Sequence, residues 1–353
     1  MAEPVKNRPK IERQPRRGFS GDPAALAGFV SSGDAEALPA LCQPRLPGVN
    51  LASWGAARRE EIEAMLLRHG AVLFRGFDVK GVSDFDACVQ SISGGAVHYM
   101  FRASPRTQVD DRFNVYTSTD YPANERIFPH NEHSYSPVFP LQLYFFCELP
   151  SATGGETPLG DTRAVLRSIR SDVRDRFVSR GIMYVRNYGD GMGLPWQTVF
   201  QTSDRAEVER YCREVGITPE WKSGDRLRTR QVGPAVVRHP VTRQDVWFNH
   251  GTFFNALTLP ESARERLLAE FSEQDLPQNT FYGDGSPIEP DVIQYLQGIY
   301  RGVMKEFTWQ AGDVVLLDNM LTLHARNSFT GSRRVLTAMA RPQKSADLER
   351  PSC

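Results

Sequence analysis

The sequence has no excess of charge of either sign. Its 353 residues carry 42 Lys+Arg and 42 Asp+Glu, so the formal net charge is zero. That excludes a global basic field for nucleic acid or an anionic membrane surface. Long apolar runs are also missing. No window approaches the ~18 apolar residues of a membrane-crossing helix, and the basic amino-terminal stretch has no apolar segment behind it, so no secretory signal is expected. Cysteine is scarce and scattered. Cys42, Cys88, Cys147, Cys212 and Cys353 are odd in number and form no CxxC pair. This argues against a disulfide framework or a thiolate zinc site, and for a reducing cytoplasm. Neither an internal repeat nor a low-complexity linker divides the chain.

What is present is ordinary for a globular enzyme: 40% hydrophobic and 24% charged residues. Residues 1–18, rich in Lys, Arg and Pro, are expected to be a disordered basic tail. Residues 19–353 are expected to form one domain. A helix is predicted over 58–69, with Ile62, Met65 and Leu66 on one face and Gly70 as its stop. Ser83 is expected to cap a second, carrying Phe85, Cys88, Val89 and Ile92. Strands are predicted at 71–77, 141–147, 182–187, 246–249, 314–319 and 335–340. Helical patterns fill 204–215, 260–273 and 290–304. This is not the strict alternation of a doubly wound sheet. It suits a β-sandwich or barrel with a mainly helical insert around 160–305 and ligands bound in its mouth.

Seven histidines are present, and the informative cluster is FPHNEHSY, with His130, Glu132 and His133. In a strand, residues i and i+2 share a face, so His130 and Glu132 are expected side by side. Those are two ligands of a two-His-one-carboxylate iron site. His324, 194 residues after His130, is the best third candidate. Three ligands on one face leave three positions open: a 2-oxo acid chelates two and dioxygen takes the third. The far carboxylate of that acid needs a buried cation, and an arginine fork suits it. Arg334, ten residues beyond His324, is expected to supply it. His133 is read as facing away from Glu132 and is not counted as a ligand. Asp318 and Asn319 are read as shaping a strand end.

Together these pieces make the sequence resemble the Fe(II)/2-oxoglutarate-dependent dioxygenases of the taurine dioxygenase (TauD/TfdA) superfamily. Within it, the likeness is to clavaminate-synthase-like enzymes and to a branch found with nonribosomal peptide assembly lines, typified by the syringomycin aspartyl hydroxylase. The matching stretches are GAVLFRGF near Ala71, FPHNEHSY, GGETPLGDTR from Gly154, WFN at Trp247, FYGDG at Phe281, and WQAGDVVLLDNMLTLHARNSFTGSRRVL from Trp309. They cover roughly residues 70–342.

The resemblance implies a mainly β protein with α: a double-stranded β-helix (jelly roll) with helical insertions. It implies His130, Glu132 and His324 as catalytic iron ligands, with Thr157 and Arg334 binding 2-oxoglutarate. The implied reaction consumes 2-oxoglutarate and O2, releases succinate and carbon dioxide, and hydroxylates the substrate. Arg102, Arg106 and Arg186 are candidates to line the substrate pocket. Related halogenating enzymes replace the carboxylate ligand with a small residue. Glu132 is kept here, so oxygen insertion or desaturation is expected and chlorination is not. In taurine dioxygenase and clavaminate synthase, a second arginine four residues after the cosubstrate arginine contacts the substrate's anionic group. Counted from Arg334, that position is Ala338. A free carboxylate would be buried there without a partner, at about 2–7 kcal/mol even for a neutral polar group. The expected substrate is therefore an aminoacyl group tethered to a peptidyl carrier protein and hydroxylated at its β-carbon. The alternatives are a free amino acid or small acid, held by another arginine such as Arg102 or Arg341, and desaturation or epoxidation by the same chemistry. A non-catalytic jelly-roll binding protein would have lost at least one of these site residues. A zinc hydrolase on the same ligands leaves the distal arginine unexplained.

Overall fold

The structure is a computed structural model that describes residues 25–31, 33, 37–97, 106–119, 121–189 and 194–351. The expected basic tail, Arg102 and Cys353 lie outside the described residues. Two sheets form the core. The larger has seven strands in the order Ala27–Phe29, Ala40–Pro44, Ala71–Phe74, Val314–Asp318, Val138–Leu149, Arg334–Lys344 and Tyr116–Thr117. The smaller has four, in the order Met304–Lys305, Leu159–Asp161, Thr322–Arg326 and Ile127–His130. Leu143, Phe145, Val315 and Met339 of the first meet Leu159 of the second in one buried cluster. This is the sandwich of a jelly roll.

The outer face of the large sheet is covered as well. Trp54 and Phe85, on the helices Leu51–Ala57 and Val82–Ser93, pack with Val72, Phe74, Phe146 and Leu316. Burial on both faces explains why AVLF and VVLLD read as unbroken apolar runs. The second of those helices begins at Val82 with Gly81 before it and has no side-chain cap, so Ser83 sits inside its first turn. Gly70 does end the helix Arg59–His69. Its φ is 81°, and a Cβ there would strike Thr322 Oγ1, so only glycine lets the chain pass this close to the His324 strand.

The insert is not purely helical. Beside the helices Ser171–Arg180, Arg205–Glu214 and Pro290–Val303 it holds its own sheet, ordered Ile217–Lys222, Arg226–Gly233, Ile182–Tyr188 and Gln278–Tyr282. Its aromatic core of Phe177, Trp247, Tyr282 and Tyr300 also takes in Leu323. Successive residues of a strand point to opposite faces. Leu323 therefore faces the insert, while Thr322, His324 and Arg326 face the other way. The four described cysteines are buried and unpaired, and no described helix is long and apolar enough to cross a membrane.

Candidate active site

His130 and His324 are direct cross-strand partners in the antiparallel ladder joining Ile127–His130 to Thr322–Arg326. Strand pairing thus places the two rings together, with centroids 4.3 Å apart. The carboxylate arrives differently from the same-face expectation. The strand stops at His130, and Glu132 lies in the turn that follows. Two asparagines fix that turn. Asn319 accepts the Glu132 N–H on Oδ1 at 2.8 Å and donates Nδ2 to the Glu132 and Pro140 carbonyls, both at 2.8 Å. Asn131 donates to the carbonyls of Asn319 at 2.6 Å and Thr322 at 3.1 Å. Ligand atoms of His130, Glu132 and His324 then lie within 4.8 Å of one another.

The His130 ring is oriented by its Nδ1–H, which donates to the Phe128 carbonyl at 2.9 Å and leaves the Nε2 lone pair for a ligand. His324 packs against the Phe145 ring at 5.3 Å, with Nε2 3.8 Å from Glu132 Oε2. Burial lowers the pKa of both histidines and keeps them neutral, the form that binds metal. Burial alone would raise Glu132. Arg106, at 2.7 Å from Oε2, together with His133 and His324, outweighs it, and the carboxyl stays well below its usual range. His133 is turned inward at φ 55°, with Nε2 3.4 Å from Glu132 Oε1, so it faces the carboxylate rather than away from it. Burial lowers it to about 4.

Two cavities meet at this cluster, and His130 and Arg106 line both. The narrow one lies between the sheets and is bounded by Thr157, His324, Phe145 and Arg333. Arg334 does not reach it. Its side chain is 51% exposed and pairs with Glu148 at 2.6 Å on the outside. The neighbouring Arg333 turns inward instead. It donates to the Gly155 carbonyl at 2.9 Å and to Ser118 and Thr157 hydroxyls at 3.4 Å, and it makes no ion pair with a carboxylate among the described residues. Burial and the nearby Arg326 push it down to about 10. Thr157 Oγ1 also accepts from Trp309 Nε1 at 3.1 Å.

The second cavity, about 1020 Å³, opens outward from the cluster. Its inner wall is aromatic: Phe128, Tyr135, His250, Phe253 and Phe254. The His250 ring is held edge-on by Phe254 at 4.6 Å and Tyr135 at 5.0 Å, and Ser134 Oγ bonds its Nδ1 at 2.6 Å. Arg186 is absent from this wall. Its guanidinium is stacked over the rings of Tyr135 at 5.3 Å and Tyr188 at 5.1 Å, in a separate small cleft behind Tyr135. Sequence reasoning missed Asn131, His250 and Arg333. The signal available for the last was the adjacent arginine pair itself.

Two neutral imidazoles and one carboxylate on one side of an open space form a donor set that suits Fe(II). The buried Arg333, with no carboxylate partner among the described residues, suits the far end of a dicarboxylic cosubstrate. A family model described as taurine catabolism dioxygenase TauD, TfdA family matches residues 34–340. The dapdiamide synthesis protein DdaC of Enterobacter agglomerans is 36% identical over 290 residues, covering 82% of this chain and 88% of that protein. A clavaminate synthase-like protein of Arabidopsis thaliana is 30% identical over 294 residues, covering 80% and 85%. The solved structure of PvcB, described as an Fe, alpha-ketoglutarate dependent oxygenase from an isonitrile synthetic pathway, is similar with a TM-score of 0.52 over 96% of this chain and 100% of that one. At 16% identity this is a likeness of fold.

Proposed function

The chain belongs to the TauD/TfdA family of Fe(II)- and 2-oxoglutarate-dependent dioxygenases, and on that footing we propose that it hydroxylates the β-carbon of an amino acid tethered to a peptidyl carrier protein. The setting is natural-product biosynthesis in the cytoplasm, in the branch that works with nonribosomal peptide assembly lines. The relative named for dapdiamide synthesis supports a biosynthetic role.

His130, Glu132 and His324 hold the iron. Thr157 and Arg333 receive the distal carboxylate of 2-oxoglutarate in the narrow cavity, and the substrate enters from the large one. When bound, iron and 2-oxoglutarate with O2 supply oxidative decarboxylation to succinate and carbon dioxide and the oxidant for the C–H bond. The protein's part is to orient and to exclude water. His130 presents Nε2 because Phe128 takes its other proton. Arg106 and the asparagine clamp hold Glu132. The aromatic wall keeps the reacting carbon in an apolar surround.

The observation that carries the oxygenase reading is a three-ligand cluster beside a buried arginine that pairs with no carboxylate among the described residues. Tethering draws on the uncharged position four residues after the cosubstrate arginine, although Arg126, Arg301 and Arg326 line the large cavity elsewhere. With Arg333 as the cosubstrate arginine, the position four residues on is Thr337, not Ala338, and both are fully buried and uncharged. Arg341 pairs with Glu63 at 2.8 Å, and Arg106 is committed to Glu132. A cavity of about 1020 Å³ also stands at the upper end of the 300–1,000 Å³ range typical of small-molecule sites, ample for more than a free amino acid.

The test compares one amino acid free and loaded on a carrier domain, with iron, 2-oxoglutarate and O2. Succinate release and product mass are followed together. Faster reaction of the loaded form, with gain of one oxygen, is expected. Faster reaction of the free acid overturns tethering alone. Loss of two hydrogens overturns hydroxylation, and absence of any 2-oxoglutarate turnover overturns the oxygenase assignment.

A further inference from the structure

We propose that His239 is a positioning residue for the iron ligand Glu132, acting through Asp318 and Asn319; this rests on the metal assignment above. His239 follows the strand Val236–Arg238 of the insert and is completely buried. Its Nδ1 accepts from the backbone N–H groups of Val241 at 3.2 Å and Thr242 at 3.0 Å. The ring proton therefore sits on Nε2, which donates to Asp318 Oδ2 at 3.0 Å. The other oxygen of Asp318 accepts from the backbone of Met320 at 2.9 Å and Leu321 at 3.0 Å.

These three donors fold residues 318–321 into a tight turn at the end of the strand Val314–Asp318. The turn aims the Asn319 side chain at the peptide groups on both sides of Glu132. Asp318 is 2% exposed and Asn319 0%, so water cannot replace a lost donor without the turn moving. Movement of Asn319 is movement of Glu132, because one amide grips both the N–H and the C=O of that residue. His239 lines neither cavity, and Asp318 does not either. Their effect on the metal is therefore indirect and geometric. The same link places the insert, which also supplies the His250 wall, in register with the iron ligand it faces.

The test is Co(II) binding by the full-length protein, read as affinity and as the visible ligand-field spectrum, with no substrate required. His130→Ala should abolish binding; retained binding there would overturn the metal site and this proposal with it. Given that site, His239→Phe and Asn319→Ala should each weaken Co(II) at least tenfold and change the band shape. His239→Gln, which can still donate to Asp318, should recover most of the affinity. Arg75→Met is the control. It removes the two guanidinium donors, at 3.0 and 2.7 Å, from the buried carboxylate of Asp313, just before the other end of the same strand, and leaves the Gln310 N–H at 2.8 Å. It should lower the melting temperature comparably and leave Co(II) affinity within twofold. Should His239→Phe fail to fold, His239→Asn, too short to reach Asp318, takes its place with the same expectation. A wild-type Co(II) affinity and spectrum in the folded variant would overturn the proposal. So would an equal loss in Arg75→Met, which would reduce the effect to stability alone.

Discussion

The two sides of Glu132 are built on opposite plans. Behind it, Asn131, Asp318, Asn319 and His239 are all buried, and almost every hydrogen bond they make goes to another part of the chain's own backbone. In front of it, rings line a large cavity, and Arg333, across the ligand cluster, keeps a guanidinium with no carboxylate partner among the described residues. Both sides are polar, so polarity does not separate scaffold from site. What separates them is the kind of partner: behind Glu132 the groups bond to backbone and to one another, with Asn131 Oδ1 alone among their side-chain atoms lacking a partner, while Arg333 bonds only neutral oxygens and meets no carboxylate among the described residues.

That contrast breaks most severely if a ligand is removed. His130→Ala or His324→Ala should end succinate release from 2-oxoglutarate, a loss greater than the roughly 10–100-fold seen when an outer partner of a metal ligand goes. Substantial turnover in either would show the cluster is not the centre.

Next in size is the arginine pair. A hydrogen bond to a charged group contributes about 1.5–3 kcal/mol, so Arg333→Met should raise the KM for 2-oxoglutarate roughly tenfold to a hundredfold. Arg334→Met, which loses only an exposed pair with Glu148, should stay within about twofold. The reverse ranking would restore Arg334 to the role that spacing suggested.

Acid should loosen the metal-free protein. His130, His133, His250 and His324 are all held neutral by burial. Below the unfolded histidine pKa of about 6.5 the unfolded chain binds more protons than the folded one, so stability falls as pH drops and the fall is complete only below the folded values. For His133, displaced to about 4, that is about 3 kcal/mol. Glu132, depressed in the fold, adds loss in the same direction at lower pH. Urea midpoints at pH 7, 6 and 5 should decline together with the chelated protein, and His133→Leu should flatten the slope. A flat profile in the parent would contradict the burial argument.

The smallest effect should come from Arg186→Ala. Its cation–π contacts contribute about 0.5–2 kcal/mol of stability, and 2-oxoglutarate turnover with substrate should change little. A large rise in substrate KM would return it to the pocket.

The clustering of His130, Glu132 and His324 could be expected from the sequence because they are residue types that chemistry restricts, and the apolar runs AVLF and VVLLD were legible as strands. The inward turn of Arg333 was not legible, because the choice between two adjacent arginines is a question of register. The strand begins at Arg334, and its pairing with Val138–Leu149 shifts between Arg334 and Val335, so alternation cannot be counted back through that point. Glu132 does lie beside the two histidines, but not by the same-face strand spacing that the sequence suggested. Its position comes from Asn319, and no local pattern relates residues 187 apart. Of the insert's sheet only Ile182–Tyr188 was expected as a strand; Ile217–Lys222 escaped notice because it is half-buried throughout, apart from exposed Thr218, and has no clean alternation.

The pairing of His130 with His324 also sets an order of events. Both belong to a ladder between segments 194 residues apart in the chain, a contact of long loop closure that forms late relative to local helices and hairpins. The apolar cluster that joins the two sheets is built from Leu143, Phe145, Leu159, Val315 and Met339. Iron held at these residues would meet a cradle whose sheets are already joined by apolar contacts, unlike a zinc finger, whose metal supplies the folding energy. Loading is a step of the mature protein, open to competition among whatever divalent ions surround it.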